Sequence, residues 1–361
     1  MRRLLHFIAL AVFLPAFGPQ ANAQQPSPLV PVEELGLRIT PRFRVTLHAD
    51  HDLAPDIYAM TLDLRGRVVV TSQGYIKTLL DTNHDGVADQ AVTFAKPPSG
   101  GMGMCFDGND LLFYGGGALV RYRDQNGDGV ADGPPEKIAS LKGGEHGAHA
   151  IRKGPDGWWY LIGGNSTEFG LQHITLTNSP IRAPQAGSLM RFSPDLKQSE
   201  IIATGFRNPY DFDFNAEGEL FTYDSDVERE YFLPWYTPTR LYHVAYALHH
   251  GWRLGGYMRS WARPGHFLDS VDWLWPVGRG SPVGVVVYRH TQFPERYRNG
   301  FFYLDWTFGK VWFTPLTRHG ATYRARPEVF LEPIGTQGFA PTDVEVTPDG
   351  SLYLCIGGRK T

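Results

Sequence analysis

The sequence is poor in cysteine, has little net charge and lacks long apolar runs beyond its N-terminus. Two cysteines in 361 residues exclude a disulfide-rich scaffold, a cysteine-rich zinc site and a Cys-x-x-Cys-His haem attachment. A formal net charge of −3 excludes the usual basic type of nucleic-acid-binding protein. No apolar run after residue 23 reaches the roughly 20 residues that cross a bilayer, so we predict no transmembrane segment.

Glycine, proline and aromatic residues are abundant instead. The chain has 41 glycines and 27 prolines, and 13% of its residues are aromatic. A hydrophobic content of 42% excludes disorder. Because glycine and proline favour turns and aromatic side chains favour strands, the composition predicts a large, mostly β domain.

The first residues have the pattern of an export signal. Arg2 and Arg3 precede an apolar stretch over residues 4–17, and Ala-Asn-Ala at 21–23 forms a small-residue cleavage site. We therefore predict a signal peptide over 1–23 and export to a periplasm or beyond. An uncleaved N-terminal anchor is the alternative.

A repeated unit organises the rest of the chain. Each copy consists of a short alternating strand, a tight turn containing glycine and a second apolar strand. The turn residues Gly66, Gly108, Gly157 and Gly218 follow one another at intervals of 42, 49 and 61 residues. Such periods indicate a β-propeller, in which each copy forms the inner half of one blade. The copies cover residues 58–72, 103–117, 148–164, 209–224 and 341–354, with a degenerate copy over 282–306.

Six copies predict an all-β, six-bladed propeller over residues 43–361, preceded by a linker over 24–42. The chain ends before a third strand of the last blade appears, so we expect that blade to be incomplete or closed by an N-terminal strand over 43–48. A β-sandwich is the alternative, but it does not account for the recurring interval. Cys105 and Cys355 lie in different predicted blades, which disfavours a disulfide between them.

Two loops match the pattern D-x-N-x-D-G-x-x-D. Oxygen side chains at positions 1, 3, 5 and 9 around a glycine suit a hard cation such as calcium. Position 12 lacks the glutamate of an EF-hand, and hairpin turns built from Asx side chains without metal are the alternative. Both loops connect the third and fourth strands of a predicted blade, opposite the ligand face, so a calcium ion there would be structural. The predicted ligands are Asp81, Asn83, Asp85, Asp89, Asp124, Asn126, Asp128 and Asp132.

Polar residues converge on the opposite face, where loops lead into the first strand of each blade or follow its second strand. A histidine there is a candidate general base, an arginine can bind a carboxylate or phosphate, and paired aspartates can hold a cation. A purely structural ring of polar residues is the alternative. The four segments are 145–149, 163–165, 205–210 and 223–226.

These segments resemble motifs of the glucose/sorbosone dehydrogenase family, whose members are six-bladed propellers that carry pyrroloquinoline quinone (PQQ). The run from His146 to Gly157 is similar to the family's H-x-G-G…G-P-D-G, and residues 205–209 to its G-x-R-N-P. Residues 249–252 resemble its N-Y-G-W, with His250 in place of the aromatic residue. The resemblance covers about residues 43–359 and is nearest to the sorbosone dehydrogenase-like, membrane-bound branch.

The resemblance implies a PQQ- and calcium-dependent dehydrogenase acting on a sugar or sugar aldehyde. It makes His146 the base that removes the sugar hydroxyl proton. Arg207 would take part in catalysis and, with Asn208, hold the quinone oxygens. The loop containing Asp224 and Asp226 falls where calcium ligands are expected. We also predict that His149 and Asn165, on the same face, contact the cofactor. Because the chain has no haem motif, a separate cytochrome or quinone would accept the electrons.

The sequence departs from the family where cofactor carboxylates are bound. Phe308 stands near the position of a lysine, and Lys310, two residues later, is the candidate to replace it. Residues 340–342 lack the arginines of the closing blade. Two other functions therefore stay open: a metal-dependent hydrolase or lyase acting on a carbohydrate or lactone, and a non-catalytic carbohydrate-binding propeller.

Overall fold

The computed structural model describes residues 28–234, 236–252, 268, 270–336 and 338–358. The predicted signal peptide lies outside this part of the chain. The described residues form antiparallel sheets arranged as the blades of a propeller, with the strands of each blade following one another outward from the axis. We name these strands A to D within a blade. The prediction of an all-β propeller is confirmed.

Two short strands precede the blades, and the first four blades have four strands each. The leading strands are β1 (Val30–Val32) and β2 (Leu37–Ile39). Blade one contains β3 (Ala59–Leu62), β4 (Val68–Ser72), β5 (Tyr75–Leu80) and β6 (Gln90–Ala95). Blade two contains β7 (Gly101–Asp107), β8 (Asp110–Gly115), β9 (Ala118–Tyr122) and β10 (Glu136–Ser140). Blade three contains β11 (Ala148–Lys153), β12 (Trp159–Gly163), β13 (Gly187–Phe192) and β14 (Ser199–Phe206). Blade four contains β15 (Phe212–Phe214), β16 (Leu220–Asp224), β17 (Thr239–His243) and β18 (Trp275–Gly278).

Blade five is extended and blade six is incomplete within the described residues. Blade five contains β19 (Pro282–Tyr288), β20 (Gly300–Asp305), β21 (Lys310–Thr314) and β24 (Glu328–Pro333), with the hairpin β22 (Thr317–His319) and β23 (Thr322–Arg324) between its last two strands. Blade six has two strands, β25 (Pro341–Val346) and β26 (Leu352–Ile356). Short 3₁₀ turns occur at Glu33–Leu35, Leu171–His173, Glu228–Glu230 and Glu295–Tyr297.

The core lies between neighbouring blades rather than in one central layer. Leu112 of blade two packs in one apolar cluster with Ile151 and Trp159 of blade three, and similar clusters join the other blades. Strands near the axis are covered on both faces, so all five residues of β16 are buried. The predicted turn glycines stand between strands A and B, with φ of 74° at Gly66 and 81° at Gly157. Few residues other than glycine adopt this backbone conformation.

The N-terminal segment folds differently from the prediction. Residues 43–48 form no strand; instead the Phe43 ring packs at the edge of blade five, 4.7 Å from the Phe293 ring. Part of the predicted linker is also structured, because β2 pairs with β24 and extends blade five outward. This pairing buries Leu37 and Ile39 and covers an otherwise open sheet edge.

Blade six closes onto blade one by contacts between their inner strands rather than by a shared strand. The Asp343 carboxylate accepts a hydrogen bond from the Met60 amide at 2.7 Å. The Thr342 hydroxyl donates to the Ile57 carbonyl at 3.0 Å. The predicted closure by a strand over 43–48 is therefore wrong, because that segment forms no strand: Phe43 packs in the aromatic cluster of blade five, and the His48 ring lies 4.8 Å from the Tyr353 ring of blade six.

A charged network links the inner strands of blades three, four and six. Arg152 donates to both Asp211 oxygens, at 2.9 and 2.7 Å, and to Glu345 at 3.0 Å. Burial raises the pKa of Glu345 to about 7, although Arg152 opposes the shift. Burial likewise raises the pKa of Asp343 well above its usual range. The axis therefore contains more carboxyl groups than its buried arginine neutralises.

This network makes stability depend on pH. Because the folded-state pKa of Glu345 is about 7 against 4.5 for an unperturbed glutamate, the native state binds the extra proton. Binding of this proton contributes fully to the free energy of unfolding below pH 4.5, and the contribution is lost as the pH rises to about 7. The native protein should therefore lose unfolding free energy as the pH rises from 5 to 8. We expect this loss to be about 2 kcal/mol smaller in Glu345→Gln. Urea denaturation at both pH values measures this, with the surface variant Glu136→Gln as control. Equal pH slopes in both variants would contradict the assignment.

Candidate functional site

Four loops of blades three and four meet on the predicted ligand face. Residues 141–147 lead into strand A of blade three, and 207–211 lead into strand A of blade four. Residues 164–186 and 225–238 follow strand B in the same two blades. Main-chain hydrogen bonds join these loops: the Ser166 amide donates to the His146 carbonyl at 2.9 Å, and the Asn165 amide to the Arg207 carbonyl at 2.7 Å. The sequence-predicted residues of this face are therefore brought together.

His146 is half-buried and held in one orientation. Its Nδ1 lies 2.7 Å from Asn165 Oδ1, an acceptor, so Nδ1 carries the proton of the neutral ring and Nε2 has a free lone pair. Burial, and next the positive charge of Arg207, lower the pKa of His146 below its usual value. The ring is thus neutral at pH 7 and suited to accept a proton at Nε2.

Asp224 fixes the turn that presents Arg207 and Asn208. Its Oδ2 accepts the Arg207 amide at 2.9 Å, and its Oδ1 accepts the Asn208 amide at 2.7 Å. The buried Arg240 guanidinium lies 3.3 Å from the same carboxylate. Both Asp224 oxygens are therefore occupied by protein donors. In this structure Asp224 orders the loop, and it offers no free oxygen to a cation.

The Arg207 guanidinium points to the edge of the site and is 12% exposed. It donates to the Ser225 hydroxyl at 2.7 Å and to Glu228 at 2.8 Å. Trp252 lies beneath it, with the guanidinium carbon 5.8 Å from the ring centre. These contacts use Nη1 and Nη2, while no hydrogen bond from Nε to a described residue is seen. A ligand that binds Arg207 would compete with Glu228.

His149 and Asn208 are buried beneath the loops of the site and hold them by hydrogen bonds. His149 is fully buried, stacks on Tyr210 with ring centres 4.0 Å apart, and lies 3.0 Å from Asn208 Oδ1 through Nε2. The Asn208 amide nitrogen donates to the Glu145 carbonyl at 2.9 Å. A Cβ on Gly164 would lie 2.3 Å from Asn208 Oδ1, so only glycine fits there. The predicted contact of His149 with a cofactor is not possible without rearrangement, because its ring has no exposed surface.

Asp226, in the loop that follows strand B of blade four, has one carboxylate oxygen that accepts no hydrogen bond from the described residues. It is fully buried; its Oδ2 accepts a hydrogen bond from Tyr236 at 2.5 Å, and its Oδ1 has no hydrogen-bond partner in the part of the chain that the structure describes. Burial raises the pKa of Asp226 to about 6, opposed by the hydrogen bond from Tyr236. An unpaired buried carboxylate oxygen is unfavourable unless a proton, a cation or a ligand donor satisfies it.

Arg279 is a site residue that sequence reasoning missed. It lies between β18 and β19, in the loop leading into strand A of blade five, and is exposed. Its guanidinium carbon is 4.8 Å from the Tyr231 ring centre, and its charge opposes the rise that burial causes in the pKa of Asp226. The signal was present, since Gly278-Arg279-Gly280 occupies the same place in blade five as the loop of Arg207 in blade four.

The sequence lacks basic residues of the family that it resembles near residue 308 and at residues 340–342, in blades five and six. Phe308 is 47% exposed in the loop after strand B of blade five. Lys310 lies 3.3 Å from Glu332 of the outer strand β24. The Thr342 hydroxyl donates its hydrogen bond to the Ile57 carbonyl. Among the described residues of blade five, Arg279 therefore brings a positive charge to the ligand face.

The two aspartate-rich hairpins connect strands C and D of blades one and two, as predicted. In the first, Asp81 accepts the Asp85 and Gly86 amides at 3.2 and 2.9 Å. In the second, Asp124 accepts the Gly127 and Gly129 amides at 2.8 and 3.0 Å. The other four carboxylates and both asparagines also accept hydrogen bonds from their own loops. The loops thus form Asx turns, and no cluster of three metal-ligating His, Cys, Asp or Glu side chains occurs within the described ranges.

Comparison with solved structures finds several sugar dehydrogenases with a similar fold. The PQQ domain of pyranose dehydrogenase from Coprinopsis cinerea, in its holo form, is 12% identical with a TM-score of 0.60, over 83% of this chain and 90% of that chain. PQQ-bound aldose sugar dehydrogenase from Streptomyces coelicolor is 17% identical with a TM-score of 0.56, over 90% and 92%. The apo-form soluble aldose sugar dehydrogenase of Escherichia coli is 13% identical with a TM-score of 0.57, over 84% and 94%.

At these identities the similarity shows a shared fold. The chain belongs to the family described as a domain of unknown function, DUF7133, whose profile matches residues 33–355. No protein with a curated description matches the sequence. Among the described residues, no helix is both long and apolar enough to cross a membrane.

Proposed function

We propose that the protein is a PQQ-type dehydrogenase that oxidises a sugar or sugar aldehyde, with His146 as the general base. The observation that carries this proposal is the oriented, neutral imidazole of His146 beside Arg207 at the mouth of a propeller. The shared fold with PQQ-bound sugar dehydrogenases supports it. The sorbosone-like branch, export by the signal peptide over 1–23 and a separate electron acceptor belong to the same proposal.

The residues at the mouth fit an anionic, planar cofactor. PQQ carries three carboxylates, and Arg207 and Arg279 provide two guanidinium groups on neighbouring blades, a geometry suited to carboxylates. The unpaired Asp226 Oδ1 suits a calcium ion, which prefers oxygen ligands, but Asp226 is fully buried, so a cation reaches it only if the loop over residues 225–238 rearranges. Asn208 would keep its position through Glu145 and His149.

The protein's own residues would bind, orient and move one proton. Arg207 and Arg279 would hold the cofactor carboxylates, while Asn165 keeps His146 Nε2 directed at the substrate hydroxyl. His146 would take that proton as the carbon gives up hydride, and it would return the proton to solvent at the open mouth. When bound, PQQ would supply the hydride acceptor. Of the two predicted aspartates, Asp226 is the better calcium ligand because Asp224 is already occupied.

A PQQ titration tests the proposal. Mature protein is titrated with PQQ, with and without calcium, by absorbance and calorimetry, and then assayed with aldoses and a reducible dye. We expect one PQQ per chain, tighter binding with calcium, and dye reduction. If PQQ does not bind and no aldose reduces the dye, the proposal is wrong. Hydrolysis of a lactone or glycoside that depends on Asp226 would instead favour a metal-dependent hydrolase.

Arg279 gives a specific prediction for cofactor binding. We expect Arg279→Met to weaken PQQ binding about tenfold, because a charge-assisted hydrogen bond is worth roughly 1.5–3 kcal/mol and this residue is exposed. Calorimetric titration measures the effect. Arg65→Met is the matched control, since Arg65 is also exposed but lies in the turn between strands A and B on the opposite face. Equal affinities in the two variants would remove Arg279 from the site.

A further inference from the structure

A cavity of about 250 Å³ opens on the ligand face between blades two and three. Three loops form it: the loops leading into strand A of each blade and the turn after strand B of blade two. It is somewhat smaller than the 300 Å³ or more typical of sites for drug-sized ligands. Its lining residues are Ser99, Gly100, Gly101, Met102, Tyr114, Gly115, Gly116, Gly117, Gly143, Gly144 and Ala148.

The lining carries no charged side chain but offers hydrogen-bond donors. Gly116, Gly117, Gly143 and Gly144 lie outside the strands, and none of their amides donates to a residue that the structure describes. The Ser99 hydroxyl likewise forms no hydrogen bond with the described parts of the chain. Such donors match hydroxyl and carbonyl oxygens. Without a cationic side chain the cavity offers little to offset the desolvation of an anion.

The cavity shares a loop with His146. Gly143 and Gly144 line its wall, and His146 follows two residues later in the same segment. Asn165, which contacts the His146 ring, follows strand B of blade three, and Arg207, whose charge lowers the pKa of His146, leads into blade four. The loop of His146 therefore lines the uncharged cavity, while the charged rim, formed by Arg207 and Arg279, belongs to blades four and five.

We propose that this cavity binds the non-reacting end of a small, neutral polyhydroxy substrate of monosaccharide size. The inference rests on the proposed function, because it assigns the charged rim to the cofactor and the cavity to the substrate. A substrate held there extends its reacting hydroxyl toward His146. The size of the cavity admits a monosaccharide, and its lining disfavours sugar acids and sugar phosphates.

Filling the cavity tests the proposal. Ser99→Leu places a larger side chain in the cavity, whereas the matched Ser99→Ala leaves it open. Binding of D-glucose, D-gluconate and maltose to mature protein is measured by calorimetry, with and without PQQ and calcium. We expect D-glucose to bind at least tenfold more tightly than the other two. Ser99→Leu should weaken D-glucose binding at least tenfold, and Ser99→Ala less than threefold.

Several results would overturn the inference. These are equal D-glucose affinity in Ser99→Leu and the native protein, gluconate binding as tight as glucose binding, or no binding of glucose under any condition. If Ser99→Leu has a lower unfolding temperature, the more flexible Ser99→Met replaces it. PQQ titration of the same samples separates the two proposals: D-glucose binding that Ser99→Leu abolishes supports the cavity even where PQQ fails to bind.

Discussion

Replacing His146 with glutamine is expected to lower kcat for sugar oxidation by a factor of about 10²–10⁴, the usual contribution of a positioned general base. Glutamine retains polar atoms near Asn165 but has no group that can take a proton near pH 7. Because burial and Arg207 lower the pKa of His146, the proposed base is already unprotonated at neutral pH. The native protein should lose kcat/KM only as the pH falls through that lowered pKa. The variant should lack this acidic limb.

The pH profile and the PQQ affinity together distinguish a base from a structural residue. His146→Gln should bind PQQ within about threefold of the native protein, because the arginines and Asp226 are unchanged. His319→Gln, in the exposed outer hairpin of blade five, is the matched control. It should leave kcat, the pH profile and the PQQ affinity unchanged. Retained activity in His146→Gln, or a loss of PQQ binding as large as the loss of kcat, would show that His146 is not the base.

The repeat could be predicted from the sequence because blade geometry is a local property. A strand, a turn containing glycine such as Gly157, and a second strand recur in order, and the φ of 81° at Gly157 fits the turn. The same local rule assigned loops to faces and brought His146, Asn165 and Arg207 to one site. The rule was not applied to blade five, where it would have pointed to Arg279.

What could not be predicted depends on contacts between distant segments. The position of β2 on blade five follows from an open edge at β24, about 290 residues later in the chain. Asp224 and Asp226 are equivalent in the sequence pattern, yet one accepts four protein hydrogen bonds and the other keeps a free oxygen. The cavity beside His146 arises where glycines of three separate loops meet, and no single motif encodes it.

Replacing Arg152 with methionine is expected to destabilise the whole propeller by about 3–5 kcal/mol, since removing one partner of a buried ion pair leaves its carboxylates uncompensated. Arg152 is 17% exposed and joins Asp211 of blade four to Glu345 of blade six. Burial alone would lower its pKa, but the two carboxylates raise that pKa well above the usual value. Loss of these ion pairs should therefore weaken the closure of the ring of blades as well as blade three itself.

Urea denaturation at pH 7 measures the change, with Arg123→Met as control. Arg123 is 44% exposed and also pairs with two carboxylates, Asp110 and Glu136, at 2.8 Å. Because exposed pairs contribute about 0–1 kcal/mol, the control should lose no more than that. Adding Glu345→Gln to Arg152→Met should restore part of the lost stability, because it removes one uncompensated carboxylate. Equal losses in the two arginine variants would mean that the axial network is as well solvated as the surface. Blade six would then be held against blade one mainly by its apolar contacts and by the hydrogen bonds of Thr342 and Asp343.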